Sequence, residues 1–124
     1  MNSSEAEIKA GEELLNRICN FRLTSVEFVL NYLILGFDGQ GALTTLVWPE
    51  IVDGENSLKF GMEHYRDSLC ALIEQPVGRV EVSRDETILI SFKNEVSLRI
   101  PLKNYERRGE RAIFTAPKHH LYAW

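Results

Sequence analysis

Few residues in this chain of 124 have types and spacing that could do chemistry, and each has an ordinary structural explanation beside it. His119 and His120 are the most tempting pair. Neighbours on a strand point to opposite faces, so the two would not share a metal, and His64 could join them only through the tertiary fold. His64 and Cys70 are six residues apart. On one helix that separation sets them on different faces and more than a turn apart, beyond the reach of a nucleophile and its base. Gly36, Gly39 and Gly41 fall in a hairpin rather than at a helix N-terminus, so they match no phosphate-cradling loop. Glu27 and Asn31 interrupt an apolar run and are expected to face water. No metal, no cofactor and no catalytic residue is expected, and the sequence by itself assigns no activity.

Two stretches look better suited to recognition than to catalysis. One is an acidic loop, Glu50, Asp53 and Glu55, beside Trp48. An aromatic next to carboxylates suits an interface with a basic protein, the ring supplying buried area and the acids steering encounter. The other is Tyr105 with Arg107, Arg108 and Arg111, which suits phosphate or an acidic surface. Three arginines are too few to argue for nucleic acid. Net charge is −4, spread unevenly: residues 1–75 carry 12 acids and 5 bases, residues 76–124 carry 6 acids and 9 bases. The acidic half argues against general nucleic-acid binding and is compatible with a basic protein partner.

The elements that must position these residues can be read from periodicity. A chain of this length with 44% hydrophobic and 26% charged residues favours a single domain with one sizeable core. Residues 61–102 carry the clearest pattern. A helix is expected over 62–75, with Met62, Tyr65, Leu69, Leu72 and Ile73 forming its apolar stripe and Cys70 flanking it, at least half buried. An antiparallel meander is expected to follow over 79–83, 87–92 and 95–102, with Asn94 taking the left-handed conformation of its second turn.

Before this stretch, a helix is expected over 4–20, opened by a Ser4/Glu7 capping box and weakened at Gly11. A long strand is expected over 23–37, with Val26, Phe28, Leu30, Tyr32 and Ile34 on one face and Val29, Leu33, Leu35 and Phe37 on the other, Glu27 and Asn31 among them. Asp38-Gly39 turns it into a partner strand over 42–48, which Pro49 ends, and 49–59 reads as loop. A short strand is expected at 112–114, and Leu121, Tyr122 and Trp124 form either a last edge strand or an apolar plug. The fold class is therefore α+β: one mostly antiparallel sheet, a hairpin plus a meander, packed with two helices. Cys19 and Cys70 belong to no metal-binding spacing and read as two buried reduced thiols, with a disulfide between them as the open alternative. The N-terminus lacks the features of a signal peptide, and the longest apolar run is broken by Glu27 and Asn31. A soluble cytoplasmic chain without membrane contact is expected.

The segments "FVLNYLILGFDGQGALTTLVWPEI", "YRDSLCALIEQPVGRVEV", "ILISFKNEVSLRIPL" and "LYAW" occur in an order that resembles a small bacterial family associated with toxin–immunity loci. That family includes immunity proteins of contact-dependent growth inhibition systems. The resemblance covers most of the chain after residue 25, leaves the N-terminal helix outside, and rests on patterns of hydrophobics and turns. It carries no catalytic residues. It implies a mixed sheet-and-helix domain that binds and blocks a cognate protein toxin. Two other readings stay open: a small enzyme or ligand-binding domain with a pocket between helix and sheet, and a homo-oligomeric structural module paired through a free sheet edge.

Overall fold

The computed structural model describes residues 3–83, 87–103 and 109–124; the side chains of residues 3–8 and of His119 fall outside that description. The Ser4/Glu7 capping box and three of the recognition residues, Tyr105, Arg107 and Arg108, lie among the residues or side chains not described. The elements begin with helix α1 (Ser3–Leu15), closed by a 3-10 turn at Asn16–Ile18. Strands β1 (Leu23–Val29), β2 (Tyr32–Phe37), β3 (Gly41–Thr45), β4 (Glu50–Asp53) and β5 (Asn56–Leu58) follow, then helix α2 (Tyr65–Cys70). The chain ends in strands β6 (Val77–Val82), β7 (Thr87–Phe92), β8 (Val96–Pro101), β9 (Ala112–Ala116) and β10 (His120–Ala123). Among the described residues no helix is long and apolar enough to cross a membrane.

The α+β class holds in its broad form, with strands predominating. The single sheet does not. There are two five-stranded antiparallel sheets, one in the order β1-β2-β3-β9-β10 and the other β5-β4-β8-β7-β6. The chain crosses between them after Thr45, where Leu46 bonds to the Arg111 carbonyl and Pro49 removes a ladder donor. Glu50 then starts a new strand that pairs with β8 instead of continuing the first sheet. Buried side chains of both sheets join in one core, with Leu33, Leu35, Leu43 and Phe114 from the first and Ile51, Ile88, Ile90 and Leu98 from the second.

The expected long strand over 23–37 is two strands joined by Leu30 and Asn31. The reversal changes which residues share a face. Phe28 lies opposite Leu33 and Val26 opposite Leu35, so even positions of β1 join odd positions of β2 on the core side. Leu30 is left at the tip, 97% exposed. The stretch 49–59 is likewise not loop but the β4/β5 hairpin, turned at Gly54 with φ +62°. The meander forms as expected. In its β7/β8 turn, however, Glu95 has the positive φ, and Asn94 instead accepts the Val96 N–H through Oδ1.

Helix α2 is much shorter than the apolar stripe predicts. Its core residues are the expected ones, since Tyr65, Leu69 and Leu72 are buried. Left-handed backbone at His64 and Glu74 breaks regular helix geometry on either side; after Cys70 the N–H groups of Leu72, Ile73 and Gln75 make i→i−3 bonds, and that of Glu74 leaves the helix to bond the Leu23 carbonyl. Met62 is therefore exposed, as is Cys70 on the outer side of the short helix, contrary to the expected burial.

Helix α1 packs along β6 and β10, at the margins of both sheets. Glu12 Oε2 accepts the Val82 N–H at 2.8 Å. Gly11, a weak point by propensity, is where the Tyr122 and Trp124 rings approach; a Cβ there would lie 2.6 Å from Tyr122.

Candidate partner-binding surface

Trp48 and Glu50 stand in and just after the crossing between the two sheets, and the fold gathers an aromatic group around them. The Trp48 ring stacks on Phe60, centroids 4.0 Å apart and planes 6° from parallel. Phe28, brought from β1 by its reversed register, stacks at 6.5 Å on Trp48. Tyr65 meets Phe60 edge-on at 5.9 Å. The Arg66 guanidinium lies 5.6 Å from the Phe28 centroid and 5.8 Å from that of Phe60, within cation–π range of both. Three separate pieces of chain thus build one platform: β1, the crossing, and the segment leading into α2.

The platform is anchored from below. Tyr65 is buried, and its hydroxyl donates to the Pro49 carbonyl at 2.5 Å. This bond fixes the first residue of α2 to the crossing that carries Trp48. Burial raises the Tyr65 hydroxyl pKa well above the ordinary tyrosine value, so the ring stays neutral and keeps its donor. Above the anchor the surface is open: Phe60 is 42% exposed and Met62 48%. A shallow hollow of about 420 Å³ lies beside it, lined by Trp48, Glu50, Lys59, Phe60 and Arg99.

The acidic loop is divided rather than gathered. On strand β4, Glu50 faces Arg99 across the ladder, and its carboxylate lies 3.5 Å from Arg99 and 3.9 Å from Lys59. Its charge is therefore largely answered within the protein. Asp53 and Glu55 sit at the far end of the hairpin, both exposed, with Asp53 on the rim of a separate cavity. Arg111 is half-buried, immediately before β9. Its N–H donates to the Trp124 carbonyl and its own carbonyl accepts from Leu46, both at 2.7 Å, so its backbone closes the first sheet.

Periodicity left Phe28, Lys59, Phe60, Arg66 and Arg99 out of any site. Phe60 carried the one legible signal, an aromatic between Lys59 and Gly61 that no helical stripe requires. The others come together only through strand order.

The remaining chemical candidates stay apart. His64 is exposed beside Glu63, Nε2 to Oε1 3.7 Å. Glu27 and Asn31 face solvent. Cys19 and Cys70 are free thiols. Cys19 Sγ donates to Asn16 Oδ1 at 3.4 Å, and burial raises its pKa, partly offset by a backbone hydrogen bond at Val80. Among the described residues no group of three or more His, Cys, Asp or Glu side chains is arranged to hold a metal ion. Comparison with protein-family models, with curated proteins and with solved structures finds no match for this chain.

Proposed function

We propose that this chain is a non-catalytic protein-binding domain, and that it acts as an immunity protein which sequesters a cognate bacterial toxin through the Phe28–Trp48–Phe60 platform. The observation that carries this reading is the stacked, half-exposed aromatic group held on a buried hydrogen bond. Interface energy concentrates in a few rigid aromatics and arginines that the partner can bury, and this surface offers three stacked aromatics and Arg66 already placed. Ordering them beforehand lowers the entropy cost of association. Lys59, Glu50 and Arg99 would form the polar rim.

The reading is tested by co-expression with the product of an adjacent toxin-bearing gene. Growth is expected to be restored by the intact chain and lost with Phe60→Ala, although the variant remains folded. Continued killing in the presence of folded, abundant wild-type protein would sink the proposal.

A further inference from the structure

A second concavity lies on the other side of the Met62–His64 turn, between α2, the β4/β5 hairpin and the β7/β8 turn. Its volume is about 580 Å³, within the few hundred to a thousand Å³ usual for small-molecule sites. Its floor is apolar: Ile51 and Leu58, paired across the hairpin, with Leu72 from the end of α2 and Val96 from β8. It exists because two elements stop short. The hairpin ends after the three residues of β5, and left-handed His64 allows α2 no earlier turn that would fill the gap.

Such a floor holds water poorly, since an ordered water needs two to four polar partners. An apolar body would fit it better. The rim then selects by charge. Asp53 is the one carboxylate in the lining, which contains no Lys or Arg; the other ionisable side chain there, His64, lies beside Glu63, and Asp53 forms no ion pair among the described residues. Ser68 and Asn94 add neutral hydrogen-bonding groups at the same rim.

We infer that this cavity is a binding site for a small organic cation: an apolar body on Ile51, Leu58, Leu72 and Val96, with an ammonium group at the Asp53 carboxylate. The inference is independent of the aromatic platform, because this cavity and the hollow beside Trp48 and Phe60 have no lining residue in common.

The test is an amide chemical-shift titration of the full chain with three probes of one shape: tryptamine, neutral 3-ethylindole and anionic indole-3-propionate. Tryptamine is expected to perturb amides in 51–58, 64–72 and 94–96. It should bind about tenfold tighter than 3-ethylindole, as a charge-assisted hydrogen bond allows, with the propionate weakest. Asp53→Asn, at an exposed hairpin position, should bring tryptamine and 3-ethylindole to the same affinity. Ala71→Phe, which fills the cavity from its exposed wall, should abolish binding of all three, and Phe60→Ala should leave tryptamine binding unchanged. Three results would overturn the inference: no probe perturbing these amides, the propionate binding as well as the amine, or shifts confined to Trp48 and Phe60.

Discussion

Tyr65 joins two roles that separate residues usually fill. Its ring supports Phe60 edge-on, and its hydroxyl holds the Pro49 carbonyl. Tyr65→Phe keeps the ring and leaves that carbonyl without its donor in a buried place. The variant should lose about 1–3 kcal/mol of stability, the usual cost of an unsatisfied buried acceptor, measured by urea denaturation. The pH dependence has a definite sign. The folded-state pKa is raised, so the stability this group contributes is complete below the unfolded value of about 10 and is lost as pH rises beyond it. Between pH 9 and 11 the wild type should therefore lose stability more steeply than Tyr65→Phe, and equal slopes would refute the burial assigned to this hydroxyl. The cysteines give an independent check on burial. Cys70 is exposed on α2, whereas Cys19 is half-buried with its thiolate disfavoured. Ellman's reagent should titrate one thiol promptly in the native protein, and Cys70→Ser should remove that fast phase. Two equally fast thiols would contradict the placement of Cys19.

Elements became legible where side-chain pattern and backbone agreed. The β6–β8 meander was readable because one face is buried and the alternation runs with little interruption. The β1/β2 reversal was hidden because Leu30 and Asn31 include no glycine or proline, and apolar residues flank them on both faces. The β4/β5 hairpin did carry an Asp53-Gly54 turn signal, but strands of four and three residues are too short for alternation to register, and their acids read as loop. In α2 the stripe identified the buried Tyr65, Leu69 and Leu72 but also took in the exposed Met62, and it missed the helix length, which left-handed His64 and Glu74 set without altering the apolar spacing. Gly41 shows how much such backbone detail weighs. Its φ is +108°, and a Cβ would run into the Thr115 carbonyl where β3 meets β9. Gly39, in the same turn, also has positive φ (+69°) but open space around it. Gly39→Ala should cost about 1–2 kcal/mol, the left-handed penalty alone. Gly41→Ala should cost roughly 2–5 kcal/mol, because overpacking between the strands adds to that penalty. Thermal or urea denaturation of the pair separates the two terms, and equal losses would mean that β9 does not pack against β3 as closely as described.

At the scale of the whole molecule, strand order decides what the charge distribution can do. The acidic first part and the basic last part of the chain do not form two opposed faces. Strands β9 and β10 complete the sheet begun by β1–β3, and β4 and β5 complete the sheet of β6–β8, so the two halves interleave. Half of the candidate site followed the same route: Trp48 and Glu50 were legible as a pair, whereas Phe28 reaches them through the β1/β2 reversal and Arg99 through a pairing made far along the chain. The platform at the crossing therefore combines an aromatic centre with a rim of both signs, in which Glu50 already lies near Lys59 and Arg99. A rim charge acts mainly on association rate, and one already answered at 3.5 Å by its own protein has little left with which to steer a partner. The toxin binding proposed for this surface should accordingly depend on burial more than on charge. Phe60→Ala should weaken it by about 30-fold or more, chiefly through faster dissociation, as for a central aromatic anchor. Glu50→Gln should change it less than about fivefold, the scale of an exposed ion pair. Surface plasmon resonance at low and high salt distinguishes the alternatives. If Glu50→Gln and added salt each slow association more than Phe60→Ala speeds dissociation, recognition is electrostatic and the aromatic platform is only part of the scaffold.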